Sequence, residues 1–142
     1  MSNFVERLDD LIKEKGFNQQ TFAKQVGISE GSISLYLSDK HIPTVEHLIK
    51  MADYFQCSTD FLLGREEYQQ LKFKPCPPFC KQIINLKNEF GGIADRFVER
   101  AKIVRSSYFN WQSGKYIPSL DNILTLADNL DCRVDYILGR ES

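Results

Sequence analysis

Gln19-Gln20-Thr21-Phe22-Ala23-Lys24-Gln25-Val26-Gly27-Ile28-Ser29, followed by Ser32-Ile33-Ser34-Leu35-Tyr36, decides how this chain is read. Phe22, Ala23 and Val26 share a helical face, so they predict a short helix that Asn18 caps and Gly27 stops. Ser29 then caps a further short helix, about Glu30 to Ser38, with Ile33, Tyr36 and Leu37 facing inward. Phe22, Ala23, Val26, Ile28 and Ile33 lock the two at a fixed angle, which leaves the outer face of the later helix free.

Working outward, three more helices complete the unit. Asn3 with Glu6 reads as a capping box for a first helix, with Val5, Leu8 and Ile12 on its apolar stripe. It ends near Lys15-Gly16. A fourth helix starts at Thr44 after Pro43, with Val45, Leu48, Ile49, Ala52 and Phe55 on one face. A last turn, Asp60 to Leu63, closes at Gly64, where a left-handed cap costs little.

The same plan recurs 75 residues on, without a gap. Ser38-Asp39-Lys40-His41-Ile42-Pro43 falls on Ser113-Gly114-Lys115-Tyr116-Ile117-Pro118, and Asp60-Phe61-Leu62-Leu63-Gly64-Arg65-Glu66 falls on Asp135-Tyr136-Ile137-Leu138-Gly139-Arg140-Glu141. Roughly 30% of positions between Phe4 and Glu66 equal their partner, which means two copies of one domain and not a solenoid. The second copy predicts helices over Phe79 to Phe90, Ile93 to Arg100, Val104 to Ser113, Leu120 to Leu130 and Asp135 to Leu138. No alternating strand pattern competes, so the expected fold is all-α: two tandem five-helix domains, 1–66 and 79–142. The linker is 67–78, expected as a short extension of the fifth helix and then a stiff extended step through Pro75-Cys76-Pro77-Pro78.

Composition sets the class. With 42% hydrophobic residues the units can bury cores, and no apolar run reaches the ~18 residues of a membrane span. Glu6, Asp9 and Asp10 interrupt any secretory signal, so a soluble cytoplasmic protein is expected, with no membrane partner. Cys57 and Cys132 are repeat partners at a small buried position; Cys76 and Cys80 are two thiols with no further ligand nearby. No metal or other cofactor is expected. The net charge of −1 counts mildly against nucleic acid, but its distribution is uneven. Lys24 and Lys40 offset Glu30 and Asp39 between Asn18 and Pro43. Between Ile93 and Pro118, Arg96, Arg100, Lys102, Arg105 and Lys115 outweigh Asp95 and Glu99.

Two short helices joined by a tight glycine turn form a helix-turn-helix signature. Asn18 to Gly64 resembles the phage-repressor/Cro type of that domain, the XRE family. The likeness rests on Gln19-x-x-Phe22-Ala23, Gly27-Ile28-Ser29, Ile33-x-x-Tyr36, Ile42-Pro43-Thr44 and Asp60-Phe61-Leu62-Leu63-Gly64. The second copy repeats much of this pattern, so the resemblance covers nearly the whole chain. It implies lambda-repressor-like domains that bind double-stranded DNA as a transcriptional regulator, usually a repressor, with the third helix in the major groove. By position, Gln19 would hold a phosphate or base edge; Glu30, Gly31, Ser32 and Leu35 would face the groove; Lys40 and His41 would follow the backbone. The matching positions of the second copy are Arg105, Ser106, Ser107 and Asn110, with Lys115 and Tyr116 in the loop.

The departures are informative too. Ala94 replaces the helix-two glutamine, Lys102 the turn glycine and Val104 the capping serine, so the second turn is expected to be less standard. Arg105 and Asn110 carry the side chains that pair with guanine and adenine. In the first copy Glu30 repels phosphate and Leu35 is apolar, which suits a cytosine and a thymine methyl, or a protein partner. Two functions therefore stand open: a DNA-binding regulator acting as a covalent pseudo-dimer, or a protein-interaction module, with a homodimer or regulatory protein as partner. No paired-carboxylate, Ser-His-Asp, Cys-His or phosphate-loop arrangement is present, so an enzyme is not expected.

Overall fold

Asn18, Ser29, Thr44 and Ser58 each hold extended backbone, and each side chain accepts the main-chain N–H three residues on. Helices begin there because a short polar side chain satisfies an otherwise orphaned donor of the first turn. The computed structural model describes residues 2–67 and 73–141, and every regular element among them is an α-helix. The chain divides into two compact units, Met1–Gln70 and Leu71–Ser142.

The first unit holds α1 (Ser2–Glu14), α2 (Gln19–Val26), α3 (Glu30–Leu37), α4 (Val45–Phe55) and α5 (Thr59–Leu62). Phe4, Leu8 and Ile12 of α1 meet Phe22, Ala23, Ile33, Tyr36, Leu48, Met51 and Ala52 in a shared core, with Ile28 buried from the turn. Phe22 stacks on Phe55 at 5.3 Å and meets Tyr54 edge-on, so α2 is fastened to α4 through one aromatic. Burial of each such side chain contributes about 1.5–3 kcal/mol, which fixes the angle between α2 and α3. Asn3 lies inside α1 and not at its cap, correcting the expected capping box. It backs onto Gly64 instead: a Cβ on Gly64 would sit 2.6 Å from that of Asn3, and φ there is +77°. Only glycine fits that combination.

The second unit holds α6 (Phe79–Phe90), α7 (Ala94–Ala101), α8 (Arg105–Ser113), α9 (Leu120–Asn129) and α10 (Val134–Leu138). Gln19 and Ala94 open α2 and α7, and Glu30 and Arg105 open α3 and α8, so these starts keep the offset of the sequence repeat. Side-chain contacts repeat as well. Phe4 meets Tyr36 edge-on at 6.5 Å, and their partners Phe79 and Trp111 do so at 6.1 Å. Arg7 Nη1 donates to the Phe61 carbonyl at 2.9 Å, and its partner Gln82 donates through Nε2 to the Tyr136 carbonyl at 3.1 Å. In both units a first-helix side chain thus satisfies the final short helix.

Beside α10 lies a charged cluster. Arg140 and Asp135, 1% and 0% exposed, pair at 2.6 Å, while Arg133 reaches Glu141 at 2.5 Å. Phe73 covers the Arg140 guanidinium at 4.5 Å, and the Lys74 N–H donates to the Arg140 carbonyl at 2.9 Å. The equivalent pair of the first unit, Arg65 and Asp60, is looser at 3.4 Å. Residues 68–72 of the expected linker lie outside the described residues; α5 ends at Leu62 and 63–67 are not helical, so the fifth helix is not extended there. Among the described residues no helix is long and apolar enough to cross a membrane.

Candidate nucleic-acid interface

The α2–α3 turn is set by Gly27, whose φ of +77° ends α2 in a left-handed cap. Lys102 adopts the same conformation at φ +56°, although its Cβ disfavours it by ~1–2 kcal/mol. The second turn therefore keeps the left-handed conformation of the first, with a lysine where the first has glycine. What differs is the capping. Asn18 and Ser29 accept N–H groups at the starts of α2 and α3; Ile93 and Val104, in the same places, make no side-chain cap bond.

The loop after each outer helix is also shared. The Leu35 carbonyl accepts from the Lys40 and His41 N–H groups at 3.0 and 3.3 Å. The Asn110 carbonyl accepts from Lys115 and Tyr116 at 3.0 and 3.4 Å. Both loops consequently present a lysine one short step beyond the outer helix.

Gln19, Glu30, Gly31, Leu35 and Lys40 are exposed, and Ser32 is half-buried, its hydroxyl accepting from Ser29 at 2.9 Å. Glu30, Gly31 and Leu35 lie on one face of α3. A Cβ added at Gly31 would meet open space, so the backbone of α3 is uncovered there. In the second unit Arg105, Ser106 and Lys115 are exposed, with Ser107 and Asn110 half-buried. Sequence reasoning missed Ser34 and its partner Phe109, both exposed on the outer helices. The i, i+4 spacing from Glu30 and Arg105 was the available signal. Phe109 is 40% exposed, which is unusual for phenylalanine in a polar helix face.

Charge gathers around α8 less densely than the sequence suggests. Arg96 and Arg100 line an open groove at the end of α6 with Glu89, Phe90 and Gly92, and the Arg100 guanidinium lies over the Phe90 ring at 5.1 Å. There the helix-end carbonyls and Glu89 favour cations. Arg105 forms an ion pair with Asp95 of α7 and lies over the Phe109 ring at 5.2 Å. Lys115 lies 5.4 Å from the Tyr116 ring. What remains is a rigid helix pair with hydrogen-bonding side chains on its outer face and cations at its rims, an arrangement that suits a polyanion with readable edges.

Comparison with known proteins agrees with this geometry. Residues 8–62, the stretch holding α2, its turn and α3, match the helix-turn-helix family model. The chain is 36% identical over 66 residues to the HTH-type transcriptional regulator AnsR of Bacillus subtilis (strain 168), covering 46% of this chain and 57% of that protein. It is 31% identical over 62 residues to the HTH-type transcriptional regulator ImmR of the same organism, covering 44% and 49%. To the cryptic phage CTXphi transcriptional repressor RstR of Vibrio cholerae serotype O1 (strain ATCC 39315 / El Tor Inaba N16961) it is 38% identical over 72 residues, covering 49% and 64%. The chain thus spans about half to just under two thirds of the length of these relatives. No solved structure matches it.

Proposed function

We propose that this chain is a sequence-specific DNA-binding transcriptional regulator, acting as a repressor, in which 1–66 and 79–142 are tandem helix-turn-helix domains joined by 67–78. The observation that carries the reading is the repeated geometry: α7 and α8 reproduce the starts, the left-handed turn and the following loop bonds of α2 and α3. The regulator and repressor names of the relatives support it. The DNA-binding set in the first domain is Glu30, Gly31, Ser32 and Leu35 facing the groove, with Gln19 at the start of α2 and Lys40 along the backbone. In the second it is Arg105, Ser106, Ser107, Asn110 and Lys115.

Tethering raises the effective concentration of the second head once the first is bound, so two weak domains act as a covalent pseudo-dimer. Apart from the loop lysines Lys40 and Lys115, their positions on α3 and α8 share only Ser32/Ser107, so the site is asymmetric. Arg105→Ala or Asn110→Ala costs ~1–3 kcal/mol of binding and relaxes specificity at one base pair each. Titration of labelled duplex with the full chain and each variant checks this; unchanged affinity and specificity in both would remove α8 as a reader.

A second reading rests on the first domain. Glu30 and Leu35, the latter 38% exposed, give α3 a face that suits protein better than phosphate. On that reading the first domain dimerises or receives a regulatory protein while the second holds DNA. Loss of self-association or partner capture in Leu35→Arg, with duplex binding retained, would favour it.

A further inference from the structure

We infer that Asp95 is a positioning residue for base recognition, holding Arg105 so that the second domain reads guanine by geometry and not by charge. The inference rests on the DNA-binding reading above and names a residue outside its groove-facing set.

Arg105 opens α8, and its Nη1 donates to the Asp95 carboxylate, Oδ1, from the neighbouring α7. Its guanidinium also lies 5.2 Å from the Phe109 ring, one turn along α8. Two supports from different elements therefore restrain one long side chain. Both charges stay largely exposed, at 62% and 66%, so the pair adds little to folding. Its value lies in what it leaves free. With Nη1 engaged, the Nε–Nη2 edge remains as two parallel donors, the fork that fits O6 and N7 of guanine.

Phe109 fits the same account. An exposed phenylalanine on a groove-facing helix gains a role as the plate on which the guanidinium lies. The first unit lacks the device, because Gln20, Glu30 and Ser34 stand at the positions of Asp95, Arg105 and Phe109.

The electrostatics give the reason for an acid beside a reading arginine. An unpaired Arg105 is attracted to every phosphate, so it strengthens binding to all sequences alike. Paired with Asp95 it is nearly neutral at a distance and bonds well only where two acceptors meet the free edge. Misplaced sequences also set the carboxylate against phosphate or an acceptor edge, which penalises them. Asp95 gives up general affinity and adds discrimination.

The test compares the full chain with Asp95→Ala, Asp95→Asn, Arg105→Ala and the Asp95→Ala/Arg105→Ala double variant. Each is titrated against the selected duplex and against duplexes changed at each guanine. Asp95→Ala should lower the preference for guanine at one position by about fivefold or more, a sizeable part of a bidentate contact. Binding to unrelated duplex should hold or rise, with a salt slope steeper by about one phosphate contact. Asp95→Asn should fall between, and Asp95→Ala should change nothing at that position once Arg105 is absent. A purely structural role would weaken all duplexes equally. Intact guanine preference in Asp95→Ala, with its loss in Arg105→Ala, overturns the inference and leaves the DNA-binding reading standing. Absence of duplex binding by the parent chain overturns that reading, and the inference with it.

Discussion

Tyr108 carries a hydroxyl into the core of the second unit where the first has Ile33. The side chain is 1% exposed and meets Phe97 edge-on at 5.7 Å, but its hydroxyl has no hydrogen-bond partner among the described residues. Burial also pushes its ionisation upward, as expected for a phenol kept from water. Tyr108→Phe removes the orphaned group and keeps the ring, so it should raise stability by about 1 kcal/mol in urea unfolding. Arg140 gives the opposite expectation. Its removal leaves the buried Asp135 carboxylate with the more distant Arg133, 3.8 Å away, so Arg140→Ala should cost about 3 kcal/mol. Arg65→Ala should cost less, because Arg65 is 32% exposed and more loosely paired. The shared Asp-x-x-Leu-Gly-Arg close is plain in the sequence. That only the second copy buries its arginine is not, because Phe73, which covers it, lies in the stretch read as linker.

Helix ends separate the two units at the next scale. Ile93 and Val104 are 56% and 66% exposed at positions where Asn18 and Ser29 cap the first unit's helices. Ile93→Asn and Val104→Ser should each raise the stability of the second unit by about 1 kcal/mol, measured by thermal or urea unfolding. The sequence placed α7 and α8 one residue early at Ile93 and Val104, because an apolar residue without a capping oxygen looks like a helix member. Elsewhere caps are legible: α2 and α3 start directly after Asn18 and Ser29, while Thr44, read as the first residue of the fourth helix, is the cap of α4. Met51 was overlooked on the buried face of α4, since the flanking Ile49 and Phe55 satisfied the same pattern. The Asp95–Arg105 pair lay beyond pattern reading altogether. It joins two helices across a turn, and no periodicity within either helix encodes it.

For the molecule as a whole, regulation on the proposed reading depends on two unlike heads of one chain acting together. The first unit carries the match to the helix-turn-helix family model and a near-neutral outer face; the second has the arginine and asparagine suited to base edges. A tethered pair of this kind gains affinity from linkage without a matching face on each head. Loss of binding with rising salt then reports the few cations at the rims. The most direct measurement is selection of binders from a random duplex library by the full chain at near-physiological salt. The account predicts one enriched motif with two unlike half-sites about one helical turn apart. Absence of enrichment, with only weak salt-sensitive binding to any duplex, would contradict it.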